Sequence, residues 1–325
     1  MKILLLQVDG KIPNLALMRI SAHHKALGDT VELRRGHTRF LFDQPDKVYA
    51  SAIFDRSRPM VDRLRKDFPD AIVGGSFLPK DEFVTIEQFG ITTREKDYSL
   101  YPEYKPSLGY TQRGCRMNET TCPFCKVPWM EGKISANDSI QQLWRGEGHP
   151  KHLHLLDNDF FGLPAWRENL NAIRDGGFKV CFNQGINARL LSEESCEALA
   201  SVQYYDDSFK TRRIYTAWDG RKDEEILFTN LKRLVKYGVK PDHLMVYMLV
   251  GCLDTEEDRE YRRARLRDFG ARPYPMPWKR TPETVGFQRW IIGAYDKRIS
   301  WADWKAAKYE PRNLGNPLDR SRDVR

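Results

Sequence analysis

The chain opens on an uninterrupted apolar run, Ile3–Val8, of the kind that a parallel strand buried on both faces requires. Apolar positions then return at helical spacing from Asn14 to about Ala26, with Asn14 placed to cap that helix and Gly28 to end it. Short strands are expected at Thr30–Leu33, Lys47–Ala50 and Ala71–Gly74, with a helix over Pro59–Lys66 between the last two. Strands alternating with helices predict an α/β domain, a Rossmann-like parallel sheet over residues 1–100. Gly74-Gly75-Ser76 reads as a tight turn after its last strand.

The alternation continues. Candidate strands are Ser107–Thr111, His152–Leu156, Lys179–Phe182, Arg213–Trp218, Leu244–Val250 and Ala271–Tyr274. Helices are expected at Trp166–Asp175, Ser192–Ala200, Glu224–Tyr237 and Glu256–Phe269, and Gly176-Gly177 and Gly238 stand where helices end. Six such β/α units suit a partial (β/α)6 barrel over residues 101–285. Helices at Phe287–Tyr295 and Trp301–Tyr309 follow within residues 286–325, and the polar tail after Asn313 reads as loose.

With 325 residues, 41% hydrophobic and 30% charged, the composition is that of a soluble globular protein of about two domains. No apolar run has the length of a membrane span, and the N-terminus reaches Asp9 too soon for a signal peptide. Six cysteines in this length do not make a secreted disulfide framework, so a cytoplasmic, reducing setting is expected. Cys181, Cys196 and Cys252 are scattered and read as small packing residues. The formal net charge of +8 is compatible with nucleic acid or another polyanion as substrate. Basic clusters at Arg56–Arg65 and Arg259–Arg272 come without a recognised nucleic-acid module and read as solvated helix faces.

The strongest chemical signal is Gly109–Lys133, GYTQRGCRMNETTCPFCKVPWMEGK, directly after a predicted strand. Cys115, Cys122 and Cys125 can hold three corners of a 4Fe–4S cluster, leaving one iron for a small molecule. A zinc site is the alternative, since Cys-x2-Cys is common there and His149, His152 or His154 can supply a fourth ligand.

This stretch resembles the cluster loop of the radical S-adenosylmethionine (SAM) enzymes. Their spacing is Cys-x3-Cys-x2-Cys with an aromatic residue before the third cysteine. Here the second gap fits and Phe124 stands at the aromatic position, while the first gap holds six residues, Arg116 to Thr121. The resemblance covers about two-thirds of the chain. It implies a 4Fe–4S cluster, SAM, an electron donor such as flavodoxin or ferredoxin, and hydrogen abstraction from a substrate by a 5′-deoxyadenosyl radical. The N-terminal part resembles the cobalamin-binding domain that precedes many of these barrels. Those domains carry Asp-x-His-x-x-Gly, but here Asp9-Gly10-Lys11-Ile12-Pro13 follows the first strand, and His23 and His24 are expected near a helix surface. Cobalamin is therefore not expected.

Barrel active sites gather at the C-terminal ends of strands. Strand two ends in Asp157-Asn158-Asp159, where the family binds the amino group of methionine, although the usual Gly-Gly-Glu is absent. Asn183 and Gln184 offer amides, and Arg189 can grip a carboxylate or phosphate. Asp219 can reach a hydroxyl or amine, and Gly251 ends a segment like the family's adenine-contacting strand. Pro273 to Trp278 is expected to form a rigid lip. The reading is a radical SAM enzyme of unassigned substrate, with nucleic acid or nucleotide compatible. The alternative is a zinc-containing, basic nucleic-acid-binding protein without catalysis. A Rossmann-type SAM methyltransferase ranks last, because no Gly-x-Gly-x-Gly loop follows the first strand.

Overall fold

The computed structural model describes residues 1–36, 44–252 and 254–309. They divide into two compact units. The first takes in Met1–Gly109, Gly114–Ile134 and Arg145–Pro150, and so includes the cysteine loop. Its elements are β1 (Lys2–Gln7), α1 (Leu15–Ala26), β2 (Thr30–Arg35), β3 (Lys47–Ser51), α2 (Arg58–Asp67), β4 (Ile72–Gly74), β5 (Ser107–Gly109) and α3 (Val127–Glu131).

β1 to β4 form a parallel sheet in the order β2-β1-β3-β4. Leu4 and Leu6 of β1 pack with Val48, Val61 and Leu64, whereas Ile3 and Leu5 pack with Leu17, Ile20 and Tyr49. Both faces of β1 are buried, which is why its sequence reads as a continuous apolar run. The Asn14 side chain accepts from Leu17 N at 3.1 Å and starts α1 as expected. His24 is a correction: it is buried, with Nδ1 at 2.7 Å from the Asp29 carboxylate and Nε2 at 3.0 Å from the Tyr49 hydroxyl. Two polar partners permit that burial. Gly75 has φ +115°, and a Cβ there would lie 1.9 Å from the Ala52 carbonyl oxygen, so the turn after β4 admits only glycine.

The second unit takes in Tyr110–Arg113, Ser135–Trp144 and the chain from Lys151 onward. A short antiparallel ladder joins β6 (Gln112–Arg113) to β7 (Ser135–Ala136), and α4 (Ile140–Leu143) follows. Then come β8 (His152–Leu155), α5 (Trp166–Asp175), β9 (Lys179–Phe182), α6 (Glu193–Ser201), β10 (Gln203–Tyr204), β11 (Ile214–Ala217) and α7 (Glu224–Lys236). β12 (Leu244–Val250), α8 (Glu256–Phe269), β13 (Arg272–Pro277), α9 (Pro282–Ile292) and α10 (Trp301–Ala306) complete it. β8, β9 and β10 are parallel neighbours, as are β11, β12 and β13. The Ile186 N–H, just past β9, donates to Tyr215 O of β11 at 2.8 Å and links the two sets. One core runs beneath both sets and takes in Phe287, Trp290, Trp301 and Trp304 of the last two helices.

The proline-rich segment belongs to the sheet and is not a lip. β13 pairs in parallel with β12 from Arg272 to Pro277, and Trp278 N donates to Val250 O at 2.9 Å. β13 ends its sheet, and Pro273, Pro275 and Pro277 alternate with Tyr274, Met276 and Trp278. Residues on one parity use their N–H toward β12, so prolines on the other parity lack a donor only where no strand pairs. The Arg259–Arg272 cluster is also corrected, because it is not a solvated face. Arg262 is fully buried, and Arg259, Arg263, Arg265 and Arg267 pair with Asp254 or Glu283, Glu260, Glu224 and Asp296. Cys181 and Cys196 are buried as expected, while Cys252 is only half-buried. No helix among the described residues is long and apolar enough to cross a membrane. The tail after Asn313 lies outside the described residues.

Candidate active site

The cysteine loop starts at a glycine that cannot be replaced. Gly114 has φ +81°, and a Cβ there would sit 2.9 Å from Ile134 Cα, at the other end of the loop. Its N–H donates to the Glu131 carboxylate at 2.7 Å, so both feet of the loop are tied together. The six-residue gap between the first two cysteines makes a turn of its own. Asn118 Oδ1 accepts from Thr121 N at 2.9 Å and Thr121 Oγ1 at 3.0 Å, and Asn118 O accepts from Cys122 N at 2.9 Å. Cys125 N then donates to Cys122 O at 2.9 Å, and Met117 N donates to Cys115 Sγ at 3.4 Å. Past the third cysteine, Lys126 Nζ donates to Ser76 O at 2.6 Å and Trp129 meets Phe83 edge to face.

Cys115, Cys122, Phe124 and Cys125 are all half-buried, and among the described residues no cysteine forms a disulfide. Burial pushes the thiols of Cys181 and Cys196 up to about 12 and about 11, which keeps them protonated and poor ligands. The donors therefore fit a cluster with three thiolate corners. Among the described residues no three His, Cys, Asp or Glu side chains are drawn together as a ready metal group. Gathering the sulfurs falls to the loop itself, whose turns close over short spans at little entropic cost. Two of the histidines offered to zinc are engaged elsewhere. His152 and His154 stack on Phe209 at 4.4 and 4.7 Å, and His154 Nε2 lies 2.9 Å from Asp207 O. Burial lowers His154 to about 4.

In the second unit, Asp157 is fully buried at the end of β8. Its carboxylate accepts from Thr111 N at 3.0 Å, Thr111 Oγ1 at 2.6 Å and Gln112 N at 2.7 Å. Burial nevertheless pushes the carboxyl up to about 6. The Gln112 side chain continues the bracing: its amide donates to Asp159 O, and its oxygen accepts from Leu163 N at 3.1 Å. Asp159 is buried, and Asn158 between them is half-buried. Asp157 thus holds the segment that leads into Cys115. Thr111 and Gln112 carry no motif, and only their place before the first cysteine could have drawn attention to them.

Arg189 and Asp219 are brought near each other. Arg189 Nη1 pairs with Asp223 Oδ2 at 2.8 Å, and its Nε donates to Asn187 Oδ1 at 3.1 Å. Asp219 accepts from Leu249 N at 3.1 Å. Burial raises the Asp219 carboxyl above the ordinary range, against the charges of Arg262 and Arg189. Arg262 donates to Trp218 O at 2.7 Å, Leu249 O at 3.0 Å and Asp254 Oδ2 at 2.6 Å, clamping the ends of β11 and β12. Gly251, at φ +75°, donates to Asp254 Oδ1 at 2.7 Å. Asn183 is half-buried beside the Cys181 thiol, and Gln184 is exposed. Asp223, Asp254 and Arg262 carry this arrangement without any sequence motif to mark them.

No protein-family model matches the chain, and no curated protein matches it. A solved structure does: apo, selenomethionine-labelled OxsB, a cobalamin-dependent S-adenosylmethionine radical enzyme, at a TM-score of 0.50 and 15% identity. The two chains share a fold. The match covers 80% of this chain and 51% of OxsB, so this chain spans about half the length of that enzyme.

Proposed function

We propose that this chain is a radical SAM enzyme acting on a nucleotide or nucleic-acid substrate. The observation that carries the reading is the loop of Cys115, Cys122 and Cys125, with half-buried thiols, in a chain that shares the fold of OxsB. Those cysteines would hold the cluster, with Phe124 as the aromatic residue of the loop. Bound there, the cluster supplies the electron that splits SAM into methionine and a 5′-deoxyadenosyl radical, drawn in turn from a flavodoxin- or ferredoxin-type donor.

The chain's own residues bind and orient. Asn158 and Asp159 take the amino group of SAM, with Asp157 acting through Thr111 and Gln112, while Asn183, Gln184 and Gly251 line the cofactor. Arg189 and Asp219 face the substrate, Arg189 toward an anionic group and Asp219 toward a hydroxyl or amine. OxsB is described as cobalamin-dependent. For this chain we propose no histidine-ligated cobalamin. The loop after β1 has no histidine, and Asp9 there is spent on Ile53 N, Phe54 N and Ser57 Oγ at 2.8, 3.0 and 2.7 Å.

Anaerobic incubation with SAM and dithionite tests the reading. The protein is expected to release 5′-deoxyadenosine, and the Cys122→Ala variant is expected not to. Absence of 5′-deoxyadenosine from iron-loaded protein refutes it.

A further inference from the structure

The β11–β13 sheet has two unlike faces. On β12, Leu244, Val246, Met248 and Val250 are buried, while the alternate residues Met245, Tyr247 and Leu249 are only half-buried. Register sets Tyr247 between Ala217 of β11 and Tyr274 of β13, with Tyr215 one step below. The Tyr215 and Tyr247 rings lie parallel at 5.7 Å and 7°, and Tyr274 meets Tyr247 edge to face at 5.6 Å. Ala217, paired with Tyr247, presents only a methyl group on this face. None of the three phenol oxygens has a protein hydrogen-bond partner among the described residues, and none is sealed from solvent. The next residue of this parity beyond Ala217 is Asp219, whose carboxylate accepts from Leu249 N at 3.1 Å.

We propose that this face binds an uncharged, planar heteroaromatic ring of nucleobase type. The ring stacks on Tyr247 over Ala217, its polar edge meets the phenols of Tyr215 and Tyr274, and Asp219 accepts a hydrogen bond at the upper edge. This deepens the reading above, and rests on it, by naming the part of the substrate that is recognised. An aliphatic group would leave three phenols without partners, which is costly when they are desolvated. A phosphate would meet no cation among these tyrosines, and its desolvation would go uncompensated. Burial also raises the Tyr215 and Tyr247 phenols above their ordinary range, so they remain neutral donors. A planar ring satisfies both needs, and base–aromatic stacking is sequence-tolerant and strong.

Titration of the Cys122→Ala protein with uridine and guanosine, followed by tyrosine fluorescence and calorimetry, tests this without any cluster. Saturable binding of at least one nucleoside is expected. Where uridine binds, 5,6-dihydrouridine, which has similar polar edges but a puckered ring, should bind at least about tenfold more weakly. Tyr247→Ala and Ala217→Trp should each weaken binding about tenfold or more, while Tyr247→Phe, which keeps the ring, stays within about threefold. Circular dichroism confirms that each variant is folded. Lack of saturable binding by either nucleoside, or binding indifferent to Tyr247→Ala, overturns the proposal. Iron-loaded protein that cleaves SAM but binds neither nucleoside sinks this proposal alone. Wild-type protein that takes up no iron and sulfide on anaerobic reconstitution, yet binds uridine through Tyr247, sinks the radical reading and leaves this one standing.

Discussion

Between Gly114 and Ile134 the chain bonds to itself over short spans, Cys125 N to Cys122 O and Cys122 N to Asn118 O among them. At the strand ends of the second unit the opposite holds. Asp157 binds backbone 46 residues away in Thr111, and Arg262 binds the Trp218 carbonyl 44 residues away. A loop built from short turns has little to lose by rearranging around a metal, whereas buried long-range polar groups fix a shape that tolerates little change. The difference separates two kinds of segment: one held by local turns and one fixed by long-range contacts to buried polar groups.

Removing the loop's donors should have the largest effect. Cys115→Ala, Cys122→Ala and Cys125→Ala should each leave anaerobically purified protein nearly devoid of iron, since each corner needs its own thiolate. Cys252→Ala should retain the wild-type iron content. Iron retained after loss of Cys115 would show that the wide first gap excludes that residue from the site.

On the other side, Arg262→Met should lower stability by about 2–4 kcal/mol, because Asp254 loses one of its two arginines and two carbonyls lose their donor. Chemical denaturation measures this, and a loss below about 1 kcal/mol would mean the clamp is dispensable. Asp157→Ala should cost about 2–4 kcal/mol, since three buried donors lose their acceptor. Asp157→Asn should cost less, because its amide oxygen still accepts. If both substitutions prove equally harmful, the carboxylate is holding something other than these donors.

Much of the fold was legible because buried strands such as β1 read as apolar runs and most helices carry caps. Asn14, Thr255 and Thr281 each accept from a backbone N–H in the first turn of the helix that follows. The two-residue strands β6, β7 and β10 were not legible, because two residues show no period. β13 was legible only as far as Tyr274, and its continuation to Pro277 was missed because prolines argue against a strand unless its outer edge is unpaired, as it is among the described residues. At the site, the cysteines were visible by type and spacing. The partners of Asp157 and Arg262 were not, because backbone N–H and C=O groups carry no residue signature. The arginines of α8 read as a solvated face because their acidic partners Asp296 and Glu224 are remote in sequence.

The smallest expected effect is on pH dependence. With the Asp157 carboxyl held up at about 6 by burial, the folded state keeps a proton that the unfolded state releases near the ordinary 3.8. Its contribution is therefore present at low pH and lost as pH rises through about 4 to 6, which makes it worth about 1 kcal/mol more at pH 5 than at pH 7. Asp157→Asn should remove that increment, read as the difference between the two proteins' denaturation midpoints at those pH values. An identical pH slope in both would mean that the carboxyl titrates normally.

Iron, acid-labile sulfide and zinc analysis of anaerobically purified wild-type protein bears most directly on the functional claim. The account predicts about four irons and about four sulfides per chain, with no zinc. One zinc per chain without sulfide would contradict it.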